Sequence, residues 1–106
     1  MQVIDQAYGL PAAGMGVRLD RGVDGSWVPV GDCATGADGQ IDQWSRSLEV
    51  LGSYRLEFGT DAYFAGLGLT PVYTGVCVEF RVPSDCSPCR MGLLVTPAAY
   101  HAYWQR

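Results

Sequence analysis

The chain has 106 residues, 48% of them hydrophobic, with a net charge of −4, four cysteines and a single histidine. That is the length of one domain, enough to bury a core without metals or disulfides as staples. The acidic balance excludes a nucleic-acid binder, which would show a basic face, and no apolar run approaches the ~20 residues of a membrane span.

Met1-Gln-Val-Ile-Asp5 has no basic region followed by an apolar stretch. No signal peptide is therefore expected, and the expected location is the cytoplasm, where cysteines are kept mainly as thiols. All seven cations are Arg. Arg is always charged and forks onto carboxylates and planar acceptors.

Val3-Ile4 is a short apolar pair ending at Asp5, and Tyr8-Gly-Leu-Pro11 reads as a turn or loop. Met15, Val17 and Leu19 alternate with Gly16, Arg18 and Asp20, which predicts a half-buried strand. Arg21-Gly-Val-Asp-Gly25 has hairpin chemistry, and the return strand begins at Trp27 to Val30. Gly36-Ala-Asp-Gly39 is a further turn. Leu48 to Leu51 is apolar and short, and Gly52 ends it.

Tyr54, Leu56 and Phe58 alternate with Arg55 and Glu57 as a strand with one wet face. Thr60 is placed to cap a short helix, with Asp61 in its first turn, where the dipole favours a carboxylate. Tyr63, Phe64 and Leu67 form its apolar side, and Gly66 and Gly68 close it. Val76, Val78, Phe80 and Val82 alternate with Cys77, Glu79 and Arg81 as a strand stopped by Pro83. Met91 to Val95 and Tyr100 to Trp104 form a closing hairpin broken at Thr96-Pro97. Seven or eight short strands and one helix, with turns every 8–12 residues, predict an all-β two-sheet sandwich in one domain over 1–106.

Several stretches, in this order and spacing, resemble the transthyretin family, and within it the bacterial-type 5-hydroxyisourate hydrolases. They are Val3-Ile-Asp5 with Gly9-Leu-Pro-Ala-Ala-Gly14 and Val17-Arg-Leu19; Thr35-Gly-Ala-Asp-Gly39; Gly52-Ser-Tyr-Arg-Leu-Glu-Phe58 and Ala62-Tyr-Phe64; and Leu93-Leu-Val-Thr-Pro97 with Tyr100-His-Ala-Tyr103. The resemblance implies a transthyretin-like sandwich that dimerises edge to edge and pairs dimers into a tetramer. The site is then in a channel between the dimers.

The family's catalytic residues do not carry over. The hydrolases' first His is Gln2 here. Their Arg after the Asp-Gly turn is Gln40. Their His-Tyr-His run is Pro88, Cys89 and Arg90, and their closing Tyr-Arg-Gly-Ser is Tyr103-Trp-Gln-Arg106, so that only Tyr103 is retained. The hormone carriers of the family have Lys and Glu at the Gln2 and Gln40 places, so this chain matches neither polar set. Hydrolysis that relies on imidazole to activate water would lose an acid–base contribution of about 10²–10⁴-fold.

The remaining groups define the candidate site. Arg90 can hold a carboxylate or enolate oxygen in two bonds, and it favours the thiolate of Cys89 beside it. Tyr103, His101 and Cys89 are candidates to move a proton or act as nucleophile. His101 is the group whose unshifted pKa lies near neutrality, with an interface or surface role as its alternative. Gln2 and Gln40 can each donate and accept toward lactams or carbonyls. Asp5, Trp104 and Arg106 complete the expected lining.

Cys86-Ser-Pro-Cys89 is a C-x-x-C that precedes a strand rather than opening a helix. It leaves open two free thiols, a loop disulfide, or a metal set completed by Cys33, Cys77 and His101. No metal or cofactor is expected. The expected function is an enzyme acting on a small cyclic or planar substrate by isomerisation, cyclisation or ring opening, in a specialised biosynthetic pathway. The alternatives are a carrier of small molecules and a structural subunit with a silent channel. A homodimer or homotetramer is expected, with neither nucleic acid nor membrane as partner.

Overall fold

A strand that is apolar on one face must cover that face with a second apolar surface. In the computed structural model, which describes residues 1–44, 48–84 and 90–105 (Gln105 through its backbone alone), two sheets do this for each other. The strands are β1 (Gln2–Asp5), β2 (Leu10–Pro11), β3 (Gly16–Val23), β4 (Ser26–Ala34), β5 (Ser53–Phe58), β6 (Val76–Arg81), β7 (Arg90–Val95) and β8 (Tyr100–Gln105). One helix, α1 (Thr60–Ala65), lies between β5 and β6. The sheets run β2-β1-β7-β8 and β4-β3-β5-β6. Every pairing is antiparallel except β1 with β7, which is parallel.

The core sits between the sheets. Val3, Leu93 and Val95 from the first meet Val17, Leu19, Leu56 and Phe58 from the second, with Met15 and the Phe64 ring of α1 closing the ends. This is the two-sheet sandwich expected from the alternation, in the transthyretin-like form that the resemblance implied.

Four local features differ from the sequence reading. Leu10–Pro11, read as a loop, pairs with Ile4 and Asp5 as a two-residue edge strand. Pro is compatible there because an outer edge needs no donor. The first hairpin turn is shorter than expected. Arg21 to Val23 stay paired with Val28 to Ser26, and only Asp24 (φ 51°) and Gly25 (φ 80°) make the bend, as a right-twisted two-residue hairpin requires. Leu48 to Leu51 forms a turn closed by Leu51 N–H donating to the Val82 carbonyl at 2.9 Å.

The capping role given to Thr60 is also corrected. Gly59 is the N-cap, with no side-chain cap bond. Its own N–H is held by the Gly16 carbonyl at 2.7 Å, so the helix starts one residue earlier than a Thr60 cap would allow. The Thr60 hydroxyl is turned into the interior and has no hydrogen-bond partner among the described residues.

The second sheet carries an ion-pair ladder on its outer side. Asp20 lies at a register shift between β3 and β4. Its carboxylate accepts from Arg18 Nε at 3.0 Å and from Arg55 Nη2 at 2.8 Å. Burial by itself pushes its pKa up, but the two guanidinium hydrogen bonds outweigh that and leave it below the usual carboxylate value. Arg55 also rests over the Trp27 ring at 4.8 Å. Among the described residues, no helix is long and apolar enough to cross a membrane.

Candidate functional site

Neighbours directly opposite in a ladder project to the same side of the sheet, and successive residues along a strand to opposite sides. In the first sheet Gln2 pairs with Gly92, which pairs with Tyr103. Ile4 pairs with Leu94, which pairs with His101, and Arg90 pairs with Gln105 at the end of the row. Val3 and Leu93 are fully buried on the inner side. The intervening residues therefore lie on the outer side. Gln40 joins them through a backbone bridge to Gln2, and the bend that delivers it is tied by the Gln40 N–H donating to Asp38 Oδ1 at 3.0 Å.

The outer side thus gathers Gln2, Gln40, Arg90, His101 and Tyr103, which the sequence spreads over a hundred positions. Its centre is held by one glycine. A Cβ built on Gly92 would overlap the Tyr103 ring at Cε1, Cζ and the hydroxyl. The phenol of the edge strand β8 can therefore lie flat across β7 toward β1 only because that position has no side chain. The His101 ring follows it, stacked at 6.3 Å and 20°. Ile4 and Leu94 are half-buried and give the face an apolar floor. Arg90 and His101 are exposed at its margins.

Two residues expected in this lining are on the opposite side. Asp5 is 1% exposed and points into the sandwich. Its Oδ1 accepts from the Ala7 and Tyr8 N–H groups at 2.9 and 3.3 Å, and its Oδ2 from the Tyr63 hydroxyl at 2.8 Å. It pins the β1–β2 bend to α1. Burial, and then this bond to Asp5, push the Tyr63 hydroxyl up to about 12. Trp104 also points inward. It pairs with Met91 and packs on Phe80 at 5.5 Å. The reason is register: each stands one residue out of phase with Gln2 and Tyr103.

Cys86, Cys89 and Arg106 lie outside the described residues, so the C-x-x-C reading and the roles given to Cys89 and Arg106 have no geometry here. Of the other cysteines, Cys33 is half-buried and Cys77 exposed, both free. Burial raises both thiol pKa values, with Asp32 adding to the effect at Cys33, which disfavours the thiolate. No group of three or more His, Cys, Asp or Glu side chains among the described residues is placed to hold a metal ion.

Sequence reasoning missed Ile4, Gly92 and Leu94 as parts of this face. The signal was present in the strand phase: once Val3 and Leu93 are assigned to the core, their neighbours must face out. The place of Gly92 under Tyr103 had no such signal, because the cross-strand register is not written locally.

The model of the family described as HIUase/Transthyretin matches residues 1–104. The 5-hydroxyisourate hydrolase of Caulobacter vibrioides is 35% identical over 107 residues, covering 95% of this chain and 91% of the relative. That of Salmonella typhimurium is 29% identical over 104 residues, covering 97% and 76%. Among solved structures, sea bream transthyretin in complex with thyroxine superposes with a TM-score of 0.87 at 26% identity, covering 98% of this chain and 91% of that one.

Proposed function

The chain belongs to the HIUase/transthyretin family, and on that premise we propose that the outer face of its β2-β1-β7-β8 sheet takes a planar, carbonyl-rich ring. The chain acts on that ring by moving a proton, in isomerisation, cyclisation or ring opening, and not by hydrolysing 5-hydroxyisourate. The observation that carries this reading is the row Gln2–Gly92–Tyr103, with the phenol laid over the glycine and Arg90, Gln40 and His101 around it.

Each group has a definite capacity. Arg90 presents a rigid fork of N–H donors for a carboxylate or enolate oxygen. The Gln2 and Gln40 amides offer a donor and an acceptor each, complementary to a lactam. Ile4, Leu94 and the Tyr103 ring supply a flat apolar surface for a ring face. The His101 imidazole offers two ring nitrogens that can donate or accept a hydrogen bond at the edge of the face. Water activation is the missing capacity, because the imidazoles that the family resemblance places at Gln2 and Arg90 are absent. A second copy laid over this face would close the floor into a channel, and a dimer or tetramer built that way is part of the proposal.

The carrier reading has one observation in its favour: the related sea bream transthyretin is seen in complex with thyroxine. The two readings part on turnover. Uric acid, a stable planar ring rich in carbonyls, is the probe for binding by titration calorimetry. Saturable binding that Arg90→Ala removes without a change in thermal stability supports the site. Failure of both the chain and the variant to bind would remove it. Hydrolysis of 5-hydroxyisourate at rates like those of the Caulobacter vibrioides relative would overturn the assignment of reaction. Binding of rings with no chemical change to any of them would favour the carrier.

A further inference from the structure

Protein interiors leave few voids larger than a water molecule. Among the described residues, a partly open cavity lies between the two sheets. Leu19, Leu56 and Phe80 reach into it from the second sheet, Met91 and Trp104 from the first, and Trp44 from the connection after β4. The cavity measures about 120 Å³. An engineered apolar cavity of ~150 Å³ takes up benzene or xenon, so a single six-membered ring is the right scale of occupant here.

The lining gives the chemistry of that occupant. None of these six side chains is charged, and the one charged group at the wall is the N-terminal amine of Met1. Phe80 and Trp104 stand 5.5 Å apart at 59°, a tilted pair, and Tyr54 stacks behind Phe80 at 5.8 Å. A third ring entering the cavity would meet aromatic faces and edges at the offsets that aromatic groups prefer. Met91 supplies a flexible, polarisable wall that adapts to shape. The cavity is also on the other side of the sheet from the Gln2–Arg90–Tyr103 face. Met91 and Trp104 belong to the same two strands as Arg90 and Tyr103 but are one residue out of phase with them.

We propose that this cavity between the sheets is a second binding site, separate from the outer face, for a small neutral aromatic molecule of about one ring. Its apolar side chains favour an uncharged ring over an ion, whose desolvation only the Met1 amine and the indole N–H groups of Trp44 and Trp104 could offset.

Benzene titrated into the full chain is the test, followed by methyl NMR and tryptophan emission. Saturable shifts of the Leu19, Leu56 and Met91 methyl groups are expected. The emission change should shrink in Trp44→Phe and in Trp104→Phe and persist in Trp27→Phe, since Trp27 lies under Arg55 on the outside of the other sheet. Leu56→Phe, which fills the cavity, should weaken benzene binding about tenfold or more. If that variant does not fold, the methyl shifts of the unsubstituted chain decide. Absence of saturable shifts, or shifts confined to the exposed Val28 and Val30, would overturn the proposal. So would loss of benzene binding in Arg90→Ala, which would assign the ligand to the outer face.

Discussion

The two sides of the β2-β1-β7-β8 sheet are made by the same strands and obey different rules. On the inner side Val3, Leu93 and Val95 are fully buried, and Asp5 has every bond of its carboxylate directed to the fold. On the outer side Gln2, Arg90, His101 and Tyr103 share a surface that the core does not need. A single residue step along the strand separates the two sets. Packing constrains the inner side by volume and hydrogen-bond satisfaction, whereas the outer side is free to change its chemistry while the fold stays in place. That is how a family scaffold can be retained when the imidazoles that the resemblance implies are replaced.

The sharpest break of this comparison is a pair of neighbours. Leu93→Ala removes a fully buried side chain and should cost about 2–5 kcal/mol. Leu94→Ala, half-buried on the outer side, should cost clearly less. Denaturant melts of the two variants measure the gap. Equal losses would mean that the outer side is packed as tightly as the inner.

Asp5→Ala comes next. It strands the Ala7 and Tyr8 N–H groups and the Tyr63 hydroxyl, and should destabilise by about 1–3 kcal/mol. Because Asp5 faces inward, uric acid affinity per folded molecule should not change. A selective loss of affinity would return Asp5 to the ligand face.

Asp20 tests the converse, a polar group on an outer side that serves the fold. Its folded pKa is depressed below the unfolded value. Its contribution to stability is therefore present above the unfolded carboxylate pKa of about 4, and is lost as pH falls through the lower folded value. Unfolding free energy measured from pH 6 down to pH 2 should show this acid limb, and Asp20→Asn should flatten it. An unchanged limb would assign acid sensitivity to other carboxylates.

The smallest effect on stability, with the clearest effect on the site, is expected of Gly92→Ala. The three atoms nearest the new methyl all belong to the far end of the Tyr103 side chain, which can swing outward, so the fold should lose only about 1 kcal/mol, the low end for overpacking. Displacing the phenol removes the floor of the outer face, and uric acid binding should fall with it. Near-ultraviolet circular dichroism reports the ring movement. Unaltered affinity would show that Tyr103 over Gly92 is not part of the ligand surface.

Much of the fold was legible because period-2 alternation is a local property. Val17 and Leu19, Tyr54 to Phe58, and Val76 to Phe80 announce their strands and their core face without reference to anything distant. The hairpin at Asp24-Gly25 and the break at Thr96-Pro97 were equally local; the Thr96 hydroxyl accepts the Ala98 and Ala99 N–H groups at 3.2 and 2.9 Å. The start of α1 was less so, because the Gly59–Gly16 bond that places it joins positions far apart in the chain.

The candidate site divides along the same line. The order of short motifs pointed to the family, the resemblance marked the places of Gln2, Gln40, Arg90 and Tyr103, and residue type singled out His101. Tertiary structure decided which of the nominees share a surface. The parallel register of β1 on β7 and the antiparallel register of β7 on β8 put Gln2, Gly92 and Tyr103 in one row, turned Asp5 and Trp104 inward, and left a ring-sized space between the sheets. Side-chain type is carried by each residue separately, but the face it occupies depends on register, and register is chosen by the summed burial of two strands that the sequence keeps far apart.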